Sequence, residues 1–417
     1  MVADVIKHKL VSNVLSLYAL QGLNYLVPLI TLPYILRVLG PRSFGLIALA
    51  QAVIGYAAIL VEYGFNLSSA RDVSIARDNP MAVSKIYWTT VATKLFLLIV
   101  TTVILAIVIA LVPDLRHDWR LFALSGASIL GNVVFPIWFL QGLERLREAA
   151  FAQALAKIII TASIYIFVKS SNNLLIAAFL MASTPLASTI VAIVLRIPLR
   201  PAHLYFPKIS DIRATLANSW HMFLGNLSTT AYGQTNILVL GFMCDTRAAG
   251  YYSFAYRLIQ AIQGLSSPIT QAIFPQASVL FVTEPKSVWP YVRRLAWILL
   301  PPTFFVSLLL LIFTPQIVVF IGGDAFINAV PIIRIMSILP ILISTATILG
   351  FIVMMNIGLS NQLMRIYMLI ALVNVCLLPY LVKNYAAVGA SLALVIAETC
   401  GPIAMYLVLR KKVPRVS

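Results

Sequence analysis

The stretch Gln21–Asp78 reads QGLNYLVPLITLPYILRVLGPRSFGLIALAQAVIGYAAILVEYGFNLSSARDVSIARD. It holds two apolar runs, each long enough to cross a bilayer, on either side of the turn Gly40-Pro41-Arg42-Ser43. Ser43 is a candidate N-cap for the helix beginning at Phe44. In the first run Asn13, Gln21, Asn24, Pro28 and Thr31 follow at steps of 8, 3, 4 and 3, which keeps them on one face. The second run repeats the device with Gln51, Gly55, Ala58, Glu62 and Asn66, at steps of 4, 3, 4 and 4. A lipid-facing helix gains nothing from a polar stripe, so two in succession predict a shared polar interior. A basic loop follows, from Arg71-Asp72 to Arg77-Asp78-Asn79-Pro80.

Outside this stretch the composition says the same. The 417 residues are 61% hydrophobic and 10% charged, with a mean hydropathy of +0.96, which places the chain among all-α integral membrane proteins. The net charge of +17 would suggest nucleic acid in a soluble protein. In a membrane chain it is a topology signal with a contribution from an anionic substrate, and no nucleic-acid partner is expected. Cys244, Cys376 and Cys400 lie far apart in apolar surroundings, and the four histidines are scattered, so neither a disulfide framework nor a metal site is predicted. The polar start Met1–Lys9 reads as lacking a cleavable leader.

Runs of about 20 apolar residues place twelve transmembrane helices near 11–38, 43–67, 86–112, 119–140, 149–168, 173–195, 215–241, 248–275, 290–314, 328–356, 363–382 and 386–409. The longest connection is rich in proline and arginine and falls at the midpoint. It divides the chain into an N-terminal six-helix bundle (1–200), a cytoplasmic linker (201–214) and a C-terminal six-helix bundle (215–417). Nineteen of the thirty Lys and Arg fall on the side that holds both termini, seven on the other and four within spans, so both termini are expected in the cytoplasm.

The halves repeat. A shift of 205 residues brings Asn13 onto Asn218, Gly45 onto Gly250 and Pro80 onto Pro285. The stripe of helix 1 falls on Asn226, Thr229, Gly233 and Asn236, and that of helix 2 on Tyr256, Gln260, Gln263, Ser267 and Gln271. The pattern predicts two pseudo-symmetric bundles related by an axis normal to the membrane, with helices 1, 2, 7 and 8 lining the space between them.

Charges inside spans are costly and mark function or pairing. Arg257, about ten residues into helix 8 beside a polar stripe, is a candidate substrate-contacting cation. Lys94 in helix 3 is either a second such cation or a partner for Glu62. Arg334 and Lys157 lie nearer span ends, where snorkelling competes with function. Glu62 is a coupling carboxylate for H⁺ or Na⁺, or a partner for Arg71 or Lys94, and Glu398 reads as structural. The cationic balance suits a phosphate or diphosphate, with Gln51, Gln260 and Asn24 available to polar groups of the same substrate. No phosphate loop is present, no cofactor is expected beyond H⁺ or Na⁺ coupling, and Asp114 with Asp118 is the nearest approach to a catalytic pair. An enzyme is therefore not expected.

The runs Leu32–Gly40 with Phe44-Gly45, Glu62–Ser68 with Ala70-Arg71-Asp72, Trp138–Arg145 and Ala249–Ser253 resemble the polysaccharide-transporter family, in particular Wzx-type O-antigen flippases. The resemblance implies the fold of the multidrug/oligosaccharidyl-lipid/polysaccharide exporter superfamily, two six-helix bundles forming a V around a central cavity. It implies movement of an undecaprenyl-diphosphate-linked oligosaccharide from the cytoplasmic to the periplasmic leaflet of the bacterial inner membrane. Partners would be that lipid, bilayer lipid and other polysaccharide assembly proteins. Glu62 and Arg71 lie in a motif of the family. The competing readings are a multidrug cation exporter of the same superfamily and, from another class, a membrane glycan polymerase or ligase.

Overall fold

A single residue separates the first two membrane helices. Gly40, at φ 71° and ψ 172°, interrupts a 61-residue helical run, α1 (Val2–Glu62). Pro41 follows, and its fixed φ suits the first position of a helix. The second helix therefore starts at Pro41, and Ser43 lies inside it; the expected N-cap at Ser43 is corrected. The computed structural model describes the backbone of residues 2–283 and 288–412, and side chains there except at 2–26, 228–232, 265–269, 271, 272, 275, 276, 279 and 282.

After α1 come α2 (Phe65–Ile75), α3 (Pro80–Leu111), α4 (Pro113–His117), α5 (Trp119–Ser125), α6 (Ala127–Val134), α7 (Ile137–Gly142) and α8 (Leu146–Phe167). They are followed by α9 (Leu174–Ala182), α10 (Thr184–Val194), α11 (Ile209–Met243), α12 (Thr246–Thr283) and α13 (Val288–Gly322). Then α14 (Val330–Met336), α15 (Leu339–Ala346), a π-helical stretch (Thr347–Met354) and α16 (Ser360–Lys412) complete the order. Among the described residues, seven helical stretches are long and apolar enough to cross a membrane, and the pair α9–α10, bent by 50°, makes an eighth. Val27–Ile75 and Ser360–Lys412 each hold two spans, broken at Gly40 and at Ala386 (φ 48°, ψ −127°). At 35 and 38 residues, α11 and α12 are long enough to cross as well, and their polar stripes lower their hydropathy. The twelve-helix order read from the sequence is the order observed.

The basic loop expected after helix 2 is largely helical. Tyr63 (φ 43°) and Gly64 (φ 80°) turn the chain, and α2 runs on to Ile75. The next break is ordinary: the Asn79 side chain accepts the Ala82 N–H at 3.1 Å, with Pro80 opening α3.

By packing, the chain forms two compact units, one of Met1–Tyr34 and Ala50–Leu227, the other of Ile35–Leu49 and Ser228–Ser417. In the first, Ala70, Val73, Val83, Tyr87, Trp138 and Phe139 make a core that joins α2, α3 and α7. Beside it α8 meets α10 through Ala149, Ala152, Ala156 and Ala192, small residues that let membrane helices approach closely. The linker is tied to the start of α3: Ser84 Oγ and Trp88 Nε1 both donate to the His203 carbonyl, at 2.9 and 3.0 Å. Lys85 pairs with Asp211 at 3.1 Å, and the Tyr205 hydroxyl donates to the same carboxylate at 2.9 Å.

The second unit has its core where α12, α13, the π-helical stretch and α16 meet, around Phe281, Leu295, Ile352, Leu363 and Met405. Here Ile35–Leu49 packs on the start of α12. A Cβ on Gly45 would overlap the Thr246 carbonyl oxygen, and a Cβ on Gly250 would overlap that of Pro41. Residues 41 and 246, like 45 and 250, are 205 apart, so the contact is reciprocal between equivalent positions of the repeat. Arg37 donates to the carbonyl of Phe320 in the last turn of α13, where free carbonyls and the helix dipole favour a cation.

Candidate functional site

Each unit holds a polar cluster. In the first, Glu62 ends α1 at the turn made by Tyr63 and Gly64. Non-glycine residues rarely hold a positive φ, and Tyr63 is kept there by stacking on Phe223, ring centroids 4.6 Å apart. Gly64 has no alternative, because a Cβ would lie 2.6 Å from that of Met222. The turn directs α2 so that Asn66 Nδ2 donates to Glu62 Oε2 at 3.3 Å.

Glu62 and Asn66 border a cavity of about 210 Å³. Its other polar walls are Asn132 of α6, Gln153 and Lys157 of α8, and Thr184 and Ser188 of α10. Lys94 of α3 is 2% exposed, and its charge and that of Glu62 act on each other. Around it the same helix buries Thr89, Thr90 and Thr93, and Thr90 shares a 3.0 Å hydrogen bond with Ser69.

In the second unit the Arg257 guanidinium lies over the Phe44 ring, 5.2 Å from its centroid. Phe44 is fully buried and meets Phe326 edge-on at 6.3 Å. A cation held against an aromatic face in apolar surroundings is stabilised by the ring quadrupole. Next to Arg257 in α12, Tyr256 is hydrogen-bonded with Gln260 and stacks on Tyr252. Asn236 Nδ2 donates to the Tyr252 hydroxyl at 2.6 Å, and Asn374 Nδ2 to Asn236 Oδ1 at 2.8 Å. All three side chains are fully buried, and Glu398, 6% exposed, acts electrostatically on Tyr252, Tyr256 and Tyr367.

Gln51 is half-buried on α1. Arg334 is exposed in the last turn of α14. Arg71 is exposed and pairs with its neighbour Asp72 at 3.1 Å. The side chain of Asn24, with those of Asn13 and Gln21, lies outside the described residues. Sequence reasoning passed over Asn132, Gln153, Thr184 and Ser188. Their signal was present: Gln153–Lys157 and Thr184–Ser188 are polar pairs one helical turn apart in apolar helices, like Glu62–Asn66. Asn374, a lone amide in an apolar run, was a second signal left unused.

Residues 10–281 match the family model described as polysaccharide biosynthesis protein. The chain belongs to this family. A protein of Escherichia coli K12 described as "Putative O-antigen transporter" is 30% identical over 399 residues, covering 95% of this chain and 96% of that one. One of the same description from Shigella dysenteriae is 30% identical over 390 residues, 93% and 96% of the two chains. The relatives of this family member are thus described as transporters and not as enzymes. Its fold is also that of solved transporters. An inward-facing multidrug resistance MATE family transporter of the MOP superfamily aligns at TM-score 0.70 with 14% identity, over 94% of each chain. The lipid II flippase MurJ, in its inward closed conformation, aligns at 0.68 with 15% identity, over 95% of this chain and 87% of that one. This polysaccharide biosynthesis family member is therefore a multi-pass membrane protein with the twelve-helix fold of that superfamily.

Proposed function

We propose that the protein moves a prenyl-diphosphate-linked oligosaccharide, an O-antigen repeat unit or a similar glycan, across the bacterial inner membrane by alternating access, from the cytoplasmic to the periplasmic leaflet. The observation that carries the reading is Arg257, a guanidinium held on the buried Phe44 ring eleven residues past the start of α12. Such a group is unsuited to cationic drugs and suited to a diphosphate, whose oxygens match its planar fork. The relatives described as O-antigen transporters support the same substrate class. Lys94, buried beside Glu62, is the positioning partner of that carboxylate. Proton uptake at Glu62 would then reset the carrier. A sodium ion there would meet the repulsion of Lys94 and Lys157.

The test is transbilayer movement of prenyl-diphosphate-linked oligosaccharide in liposomes that contain only this protein. Accelerated movement is expected, with Arg257→Ala lowering the rate at least about tenfold, the cost of one charge-assisted hydrogen bond. Export of a cationic dye with no movement of the lipid would replace this reading by the multidrug one. Polymerised glycan in the products would replace it by an enzyme.

A further inference from the structure

We propose that the cavity of the first unit is a recognition pocket for one uncharged sugar ring of the glycan, an inference that rests on the transport reading above. Its volume of about 210 Å³ is far larger than a bare ion needs. Two helices each present a pair of polar residues one turn apart, Gln153 with Lys157 on α8 and Thr184 with Ser188 on α10, and Glu62 and Asn66 stand on either side of the turn between α1 and α2. Asn132 of α6 completes the polar wall.

A sugar hydroxyl both donates and accepts, and so needs neighbours of both kinds. Asn66 offers an acceptor: its Oδ1 is buried with no hydrogen-bond partner, while its Nδ2 is engaged by Glu62. An acceptor left dry is unfavourable until a ligand donor reaches it. Ser188 directs its proton to the Thr184 carbonyl at 2.9 Å, which leaves its oxygen free to accept. The amides of Asn132 and Gln153 bring donors and acceptors together, the bidentate chemistry that vicinal hydroxyls match. Phe135, Ile137 and Pro185 form the apolar part of the wall, suited to the C–H face of a ring.

Charge excludes the alternatives. Lys157 in the wall and Lys94, whose charge acts on Glu62, oppose a cation there. A diphosphate would place its negative charges beside Glu62. A metal ion needs several oxygens closing at about 2.0–2.6 Å, and a lysine in its shell opposes it.

Saturation-transfer NMR on the purified full-length protein reads the pocket directly. The probes are methyl glycosides of neutral hexoses, 6-deoxyhexoses and N-acetylhexosamines, with glucuronate and inorganic diphosphate as charged comparisons. At least one neutral glycoside is expected to bind, and Asn132→Leu and Gln153→Leu each to weaken it by about fivefold or more, the loss of one hydrogen bond. Ser188→Ala, the mildest change, serves if either leucine variant fails to fold, and is expected to weaken binding in the same direction. Three results overturn the proposal: no neutral glycoside bound by wild type, unchanged binding in variants that melt normally, or displacement of the glycoside by sodium. The liposome assay is run on the same preparations. If wild type moves no lipid-linked glycan, the transport reading falls, while glycoside binding lost in Gln153→Leu still upholds the pocket.

Discussion

A methyl group at position 45 has no room. The Gly45–Gly250 contact is reciprocal, each glycine meeting the carbonyl that opens the other's helix, so the two cannot be relieved separately. Gly45→Ala and Gly250→Ala are each expected to cost about 1–3 kcal/mol, the usual price of overpacking. The double variant should cost less than the sum, because both changes act on one contact; thermal unfolding of the four proteins in detergent measures this. The buried amide chain makes a second case. Asn236→Leu removes the donor to Tyr252 and the acceptor for Asn374, whose own Oδ1 already has no partner. A loss of about 2–4 kcal/mol is expected, whereas Tyr252→Phe, which strips one partner only, should lose about 1 kcal/mol. Equal melting of the two variants would contradict that account.

At the scale of elements, the family motifs turn out to be joints. Glu62–Ser68 forms a left-handed turn and the start of α2, and Ser68 shares a 2.8 Å buried hydrogen bond with Ser219 of α11. Trp138–Arg145 closes the core under α2, and Glu144 bridges to Arg77 at 2.6 Å. Arg37, in the first motif, holds the end of α13. Arg37→Ala is expected to fray that end, with faster amide exchange over the last turn of α13 and a loss of about 0.3–1 kcal/mol. The linker is a joint of another kind. Asp211, ahead of the apolar part of α11, accepts the Lys208 N–H at 3.0 Å and the Tyr205 hydroxyl, and pairs with Lys85. These contacts hold its carboxyl below the usual carboxylate range. A depressed carboxylate stabilises the folded form above its unfolded value, near pH 4, and that contribution is lost as pH falls through the folded value. Hydrogen exchange over 196–208 should thus stay flat from about pH 7 to about pH 5 and rise below about pH 4, once corrected for intrinsic rates. Asp211→Asn should show the raised exchange already at neutral pH. A flat profile in the native protein down to pH 3 would remove the carboxylate from the joint.

For the whole molecule the decisive quantity is coupling. With Glu62 as the proton acceptor, a proton gradient should accelerate glycan movement in liposomes and a sodium gradient should not. Glu62→Gln should keep movement down the glycan's own gradient and lose the proton effect. Acceleration that survives in Glu62→Gln would make the carboxylate a structural partner of Lys94. What the amino-acid sequence determined by itself was whatever depends on transfer of residues between water and lipid. The number of spans, their order, the break near Gly40 and the 205-residue repeat all follow from hydropathy, helical period and turn chemistry, which need no knowledge of tertiary contacts. Arg257 was legible too, because a charge ten residues into an apolar span must be accounted for wherever it faces. Tertiary structure alone decided which polar residues share a space. Stripes say which face of a helix is polar and nothing of its rotation against its neighbours, so sequence alone could not say whether Gln51 and Arg334 share a space with Arg257. For the same reason Asn132, Gln153, Thr184 and Ser188, on three different helices, came together with Glu62 only where side-chain packing fixed the rotation and tilt of each.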